Sequence, residues 1–217
     1  MALDLPDHFL ASAELAAGLV TSGAVRERWD TESACAGMTV GGLAHHLAAQ
    51  ARNTARLLEA PPHDEAPIPV EEHYRRAAWV HTSLEDEVNV EIRTSANNEA
   101  TGGYDAHAEQ VRTDLAALPA TLQTAASRDP DAVLIPWQGW ALTVHDFLVT
   151  RLMEIVVHSD DLAASIDRPT PQFPDGAVRP VLGLLTAVAV ERHGQTALVR
   201  ALSRPQRAPA SVSAFGG

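Results

Sequence analysis

Residues 141–166, ALTVHDFLVTRLMEIVVHSDDLAASI, decide the fold. Thr143 suits an N-cap ahead of Val144, and apolar residues recur at helical spacing through Val144, Phe147, Leu148, Leu152, Ile155, Leu162 and Ile166. The spacing predicts one long buried helix. Because each residue advances about 100° around the axis, Arg151, Glu154, His158 and Asp161 fall within the apolar arc or at its edge. Four ionisable groups therefore point where a core is due, a costly arrangement unless they are paired or bound to a metal. Glu154 and His158 stand at i and i+4, which sets a carboxylate oxygen and an imidazole nitrogen side by side on one face, within reach of a shared cation. An intrahelical His–Glu hydrogen bond, with Arg151 and Asp161 completing an ion-pair network, explains the same spacing. A third ligand from elsewhere has to decide between them.

The candidate lies in residues 39–60. Thr39 is the expected N-cap of a second helix, Pro61 and Pro62 end it, and Val40, Leu43, Leu47, Thr54, Leu57 and Leu58 define its inward arc. His46 falls at the edge of that arc with Gln50 and Asn53 near it, whereas His45 points well away and reads as a solvated surface residue. His46 is thus a candidate third ligand if the two helices face one another across a bundle. If they do not, it is a hydrogen-bonded core histidine.

Around these two helices the chain reads as mostly helical. A first helix is expected over residues 4–28 with Phe9, Ala13, Ala16, Val20 and Ala24 on one stripe, followed by a connector holding Trp29. A third is expected over 70–96 with Ala77, Val80, Leu84 and Val88 on its apolar line, and a fourth over 105–127 with Pro119 inside it. Residues 128–140, RDPDAVLIPWQGW, are too marked by Pro and Gly for a helix and are expected to cross the bundle in extended form, with Trp137 and Trp140 as packing anchors. Two further helices follow a proline-rich turn, and the final PQRAPASVSAFGG reads as disordered. The expected fold is all-α: an up-and-down four-helix bundle with additional C-terminal helices. Its organisation is a metal-binding bundle over 1–166, a helical extension over 167–204 packed on it, and a loose tail over 205–217.

Composition narrows the function. The 217 residues, 46% of them hydrophobic, suffice for one sizeable core. A net charge of −12, with all 16 basic residues arginine, argues against a nucleic-acid partner. No window approaches the ~18 continuous apolar residues of a membrane span, and no secretory leader pattern opens the chain, so a cytoplasmic protein without a membrane partner is expected. Cys35 is the single cysteine, which excludes an intrachain disulfide and a cysteine zinc cage. It sits in SACAGM without a charged neighbour in sequence and reads as a passive thiol. The apolar run VLGLLTAVAV, residues 181–190, suits a homodimer interface as well as it suits the bundle core.

Two segments carry a resemblance. MTVGGLAHHLA, residues 38–48, resembles the W-T-V-x-x-L-x-x-H-L segment of the DinB-like metalloenzyme superfamily, in its mycothiol-dependent maleylpyruvate isomerase branch. RLMEIVVHSDDLAAS, residues 151–165, is similar to that branch's R-x-x-E-x-x-x-H-x-x-D-L-A signature. Met38 stands where the family has Trp. The resemblance implies that His46, Glu154 and His158 ligate a divalent metal, zinc by preference, and that mycothiol or a similar low-molecular-weight thiol is the cofactor. His46 rather than His45 matches because it directly precedes Leu47.

Two imidazoles and one carboxylate leave a coordination position open, the pattern of a catalytic site. The expected activity is attack of the activated thiol on a small electrophilic substrate, as S-transferase or cis–trans isomerase. A metal-dependent hydrolase and a non-catalytic metal- or small-molecule-binding bundle are the competing readings. Arg151 is expected either to fix a substrate oxyanion or to pair with Glu154, and Asp161 to orient a ligand imidazole or pair with Arg151. Gln50 and Asn53 are expected to line the cofactor pocket. The family's C-terminal α/β domain has no counterpart in the helical pattern of the last 50 or so residues, so groups supplied by such a domain are not carried over.

Overall fold

Four amphipathic helices supply the frame: α1 (Leu5–Val20), α3 (Val40–Glu59), α7 (Gly103–Ala125) and α8 (Val144–Ser165). The computed structural model describes residues 4–61, 63–83, 85–125 and 127–215. Helices α7 and α8 each pack on both α1 and α3, and α1 and α3 touch between them. The all-α bundle expected from periodicity is the fold. Its core comprises Phe9 and Val20 of α1, Leu43 and Leu47 of α3, Leu118 and Leu122 of α7, and Phe147, Leu152, Ile155 and Leu162 of α8. Thr143 and Thr39 cap α8 and α3 as their positions suggested, each accepting a hydrogen bond from the backbone N–H three residues on.

Two predicted helices are broken. The first ends at Val20, and a short α2 (Gly23–Glu27) restarts because the Ser22 side chain accepts from Val25 N and caps a new turn. The third, expected as one rod over 70–96, is three pieces: α4 (Val70–Arg76), α5 (Ala78–His81) and α6 (Glu87–Glu99). Ala77 and Thr82 adopt extended backbone between the first two pieces and after the second, and Asp86 holds the N-cap position of α6. Leu84, assigned to the apolar line of that rod, and Pro62, assigned to the end of the second helix, lie outside the described residues. None of the three pieces joins the four-helix frame. α6 lies on α3, whereas α4 lies against α8 and α9.

Residues 128–140 do not cross the bundle. β1 (Val133–Ile135) pairs antiparallel with β2 (Trp140–Leu142) in a hairpin whose turn uses Gly139 at φ +81°, a conformation that favours glycine. Ile68 N also donates to Ala141 O, tying the loop before α4 to the hairpin. Trp137 is 53% exposed and anchors nothing, while Trp140 is half-buried.

α9 (Asp175–His193) packs on α8 and α1, and α10 (Gln195–Ser203) packs on α9. Of the segment expected to be loose, residues 205–215 return to the body of the protein, and 216 and 217 lie outside the described residues. A 3₁₀ turn covers Pro205–Arg207, the His193 ring bonds Ser213 O at 2.8 Å, and Phe215 packs on Trp79 and Tyr74 with ring centroids 5.2 and 6.1 Å away. A half-buried aromatic side chain packed against two others offsets part of the entropy of ordering this short segment.

Glycines at the start of α3 permit the approach that sets its register. A Cβ on Gly41 would stand 2.5 Å from the Trp29 indole, and one on Gly42 would stand 2.2 Å from Asn97 Oδ1. Asn97 of α6 in turn accepts from Thr39 N at 2.9 Å and donates to Gly37 O at 2.9 Å. His46 is presented by a helix whose first turn is clamped on two sides.

Candidate metal centre

His46 on α3 and the Glu154–His158 pair on α8 converge across the α3–α8 contact. One Glu154 carboxylate oxygen, Oε2, lies 3.5 Å from His46 Nε2 and 3.2 Å from His158 Nε2. The two imidazoles meet edge to face with centroids 4.9 Å apart. A donor atom from each of the three residues lies within 4.8 Å of the others. The side chains are only 14 to 23% exposed. Three donors pointing at one spot, two nitrogens and one carboxylate oxygen, fit a borderline divalent ion with further coordination positions left over.

Around this trio the structure builds a supporting layer. Asp161 Oδ2 lies 2.9 Å from His158 Nδ1, one turn along α8, so the ring's far nitrogen donates to a carboxylate and its Nε2 faces Glu154. Burial alone would lower the His158 pKa, but hydrogen bonds to Asp161, Cys35 and Glu154 raise it well above the usual imidazole range. Burial likewise opposes ionisation of Glu154, yet the hydrogen bonds of His158 and His46 and the charges of His158 and Arg151 hold its carboxyl well below the usual range. Glu154 is therefore anionic before any cation arrives, and a proton occupies His158 in the cation's place.

Arg151 does not reach Glu154 as an ion pair among the described residues. Its Nη1 donates to Gln50 Oε1 at 2.8 Å and its Nε to Thr150 Oγ1 at 3.1 Å. Gln50 is 3% exposed and also donates from Nε2 to His46 O at 3.0 Å, so its amide bridges the arginine to the backbone of the neighbouring candidate ligand. Asn53, half-buried one turn further on, accepts from Arg56 at 3.5 Å and makes no hydrogen bond to the trio among the described residues.

Cys35, without a charged neighbour in sequence, gains charged partners through the fold. The connector carrying it folds onto the end of α8, where Ala34 N donates to Ser165 Oγ and Arg28 donates to Ser165 O. Cys35 Sγ comes to 3.3 Å from Asp161 Oδ2 and 3.9 Å from His158 Nδ1. Burial pushes its pKa up, so it stays a thiol that donates to Asp161. Cys35, His158 and Asp161 are a second convergence of donor atoms on the far side of the same imidazole.

His45 is corrected as well. It is half-buried, with Nε2 at 2.8 Å from Glu99 and 3.1 Å from Arg52.

The sequence reading leaves His73 as a surface or packing residue and assigns Tyr74 no role. His73 and Tyr74 of α4 are buried at 4 and 2% exposure, and both feel the charges of Arg151 and Glu154. Burial first, then the Arg151 charge, lowers the His73 pKa to about 4, and its Nδ1 accepts from Trp140 Nε1 at 3.0 Å. α4 thus supplies a neutral imidazole and a phenol near the α8 charges. No spacing in the sequence marks them, because their position follows from α4 being detached from the rod predicted over 70–96.

With this geometry in place, the comparison with known families is decisive. The family model described as the mycothiol maleylpyruvate isomerase N-terminal domain matches residues 9–163. The chain belongs to that family. The match spans the connector with Cys35, the whole of α3 and α8 up to Ala163, and so includes His46, Glu154, His158 and Asp161. No curated protein and no solved structure matches the chain. Among the described residues no helix is long and apolar enough to cross a membrane.

Proposed function

We propose that this protein is a metal-dependent enzyme that directs a low-molecular-weight thiol such as mycothiol onto a small electrophile, as an S-transferase or a cis–trans isomerase. The observation that carries the reading is the convergence of His46, Glu154 and His158 from two helices on one spot. Zinc is the ion that the donor set favours. When bound, such an ion lowers the pKa of a thiol or water beside it and so supplies a nucleophile near neutrality.

The chain's own groups do the rest. Glu154, already anionic, needs no deprotonation to bind a cation, and Asp161 holds the His158 ring with Nε2 turned inward. Arg151, fixed by Gln50, places a cation one turn before Glu154, where it balances negative charge that develops on a substrate oxygen. Attack forms a carbon–sulfur bond, with the thiol proton lost before the step. In transfer a leaving group departs with its electron pair. In isomerisation the former double bond rotates as a single bond and the thiolate is expelled again.

The test is made on purified protein. Elemental analysis should find about one zinc per chain in the native protein and near none in His46→Ala that remains helical by circular dichroism. Consumption of 1-chloro-2,4-dinitrobenzene should then require both the metal and an added thiol. Consumption that survives complete metal removal would reject the reading. Metal-dependent ester hydrolysis without thiol would favour the hydrolase, and stoichiometric zinc with no turnover of either kind would favour a binding module.

A further inference from the structure

A second candidate site shares no lining residue with the His46, Glu154 and His158 trio. Helices α4, α5 and α9 and the returning C-terminal residues enclose a cavity of about 320 Å³, and none of His46, Glu154, His158 or Asp161 lines it. That volume is at the lower end of the range for small-molecule sites, roughly 300–1,000 Å³. Tyr74, Val80, Val188 and Ala214 give it an aromatic and aliphatic lining. The Tyr74 ring is part of that lining, while its hydroxyl oxygen is buried out of solvent's reach.

The charges at the rim define the ligand. Arg75 is consumed by Glu72 and by both carboxylate oxygens of Glu191, at 2.8 and 3.1 Å from the latter. Two charges of opposite sign remain. Glu71 on α4 and Arg192 on α9 are exposed, line the cavity from different helices, and make no ion pair among the described residues. An apolar cavity with one unpaired anion and one unpaired cation at its rim complements a zwitterion with an apolar body.

We propose that this cavity binds an α-amino acid with an apolar side chain, its ammonium at Glu71, its carboxylate at Arg192, and its side chain against Tyr74, Val80 and Val188. The proposal does not depend on the metal chemistry, because no residue of the trio takes part. The probe is L-phenylalanine, titrated into the full chain and followed by calorimetry and by amide chemical shifts. Saturable binding is expected, with shifts at Ala187, Val188 and Ala214. 3-Phenylpropionate, which lacks the ammonium, and 2-phenylethylamine, which lacks the carboxylate, should each bind at least tenfold more weakly.

Arg192→Ala and Glu71→Ala change exposed residues and should each weaken L-phenylalanine binding about tenfold. Ala187→Trp, which fills the cavity, should abolish binding while circular dichroism shows the fold retained. Absence of saturable binding, equal affinity for 3-phenylpropionate, or undiminished affinity in both charge variants would overturn the proposal. None of these outcomes alters the zinc content that tests the metal reading.

Discussion

Asp161 shows how much a single residue decides when its partner is a candidate ligand. It accepts from His158 Nδ1 at 2.9 Å and from the Cys35 thiol at 3.3 Å, so it fixes both the orientation of the ring and the nitrogen that faces Glu154. Asp161→Asn keeps the shape but offers the ring a weaker, uncharged acceptor. Zinc affinity measured against a competing chelator should fall about 10- to 100-fold, with the helical content unchanged. Wild-type affinity in this variant would remove Asp161 from the metal centre.

The protonation of His158 gives a second prediction at this scale. Because its carboxylate neighbours raise its pKa well above the usual value, the metal-free protein carries a proton that a cation must displace. Affinity should therefore rise with pH by about tenfold per unit until that raised pKa is passed. Calorimetry in two buffers of different ionisation enthalpy should register about one proton released per ion bound. A heat independent of buffer would show His158 already neutral.

Elements place these residues, and here glycine matters more than any polar group. α3 brings His46 to Glu154 only because its first turn sits against the Trp29 indole and Asn97, at distances that leave no space for a Cβ on Gly41 or Gly42. Gly41→Ala gains helix propensity but forces the buried Trp29 ring to move. The net loss should be on the order of 1–3 kcal/mol, the usual cost of overpacking, read as a lower melting temperature. An unchanged melting temperature would mean that the indole yields freely. Zinc affinity should fall in the same variant, since the turn that shifts leads directly to His46.

The breaks in the predicted third helix belong to this scale too. Ala77, Val80 and Val88 keep a helical period, yet Ala77 and Thr82 leave helical backbone so that α4 can lie on α8 and α9 while α6 lies on α3. A period tells which residues face inward. It does not tell whether they face the same neighbour.

For the whole molecule, two buried histidines set the response to acid. His73 and His107 each have a pKa near 4, lowered chiefly by burial, with Arg151 acting further on His73 and with His45 and Arg52 acting on His107. In the unfolded chain a histidine takes up its proton near pH 6.5, so the unfolded state binds more protons between about pH 6.5 and 4. Stability is then full above pH 6.5, falls as pH drops through that window, and levels off below about 4 for these two groups. Each contributes up to roughly 3 kcal/mol of loss by linkage.

His107 packs on Trp29 and its Nε2 lacks a partner, so His107→Phe should hold or raise stability at pH 7 and make the acid loss shallower. Chemical denaturation of the metal-free protein from pH 7.5 to 4 checks this. A slope equal to wild type would show that His107 does not titrate on unfolding.

What the sequence determined by itself was local. Thr39 and Thr143 start their helices, the apolar period buries one face of each, and the i, i+4 spacing sets Glu154 beside His158, all within a few turns of backbone whose geometry is fixed by 3.6 residues per turn. His46 was legible because it shares the inward edge of its own helix and matches a family motif, although its meeting with Glu154 needed the bundle to be assumed. The tertiary structure alone decided that Cys35 reaches Asp161, that Gln50 bridges Arg151 to His46, that His73 and Tyr74 come near the α8 charges, and that Phe215 returns to Trp79. Those contacts join residues up to 136 positions apart, as Trp79 and Phe215 are, beyond the reach of any shared period, and only packing of side chains in three dimensions selects them.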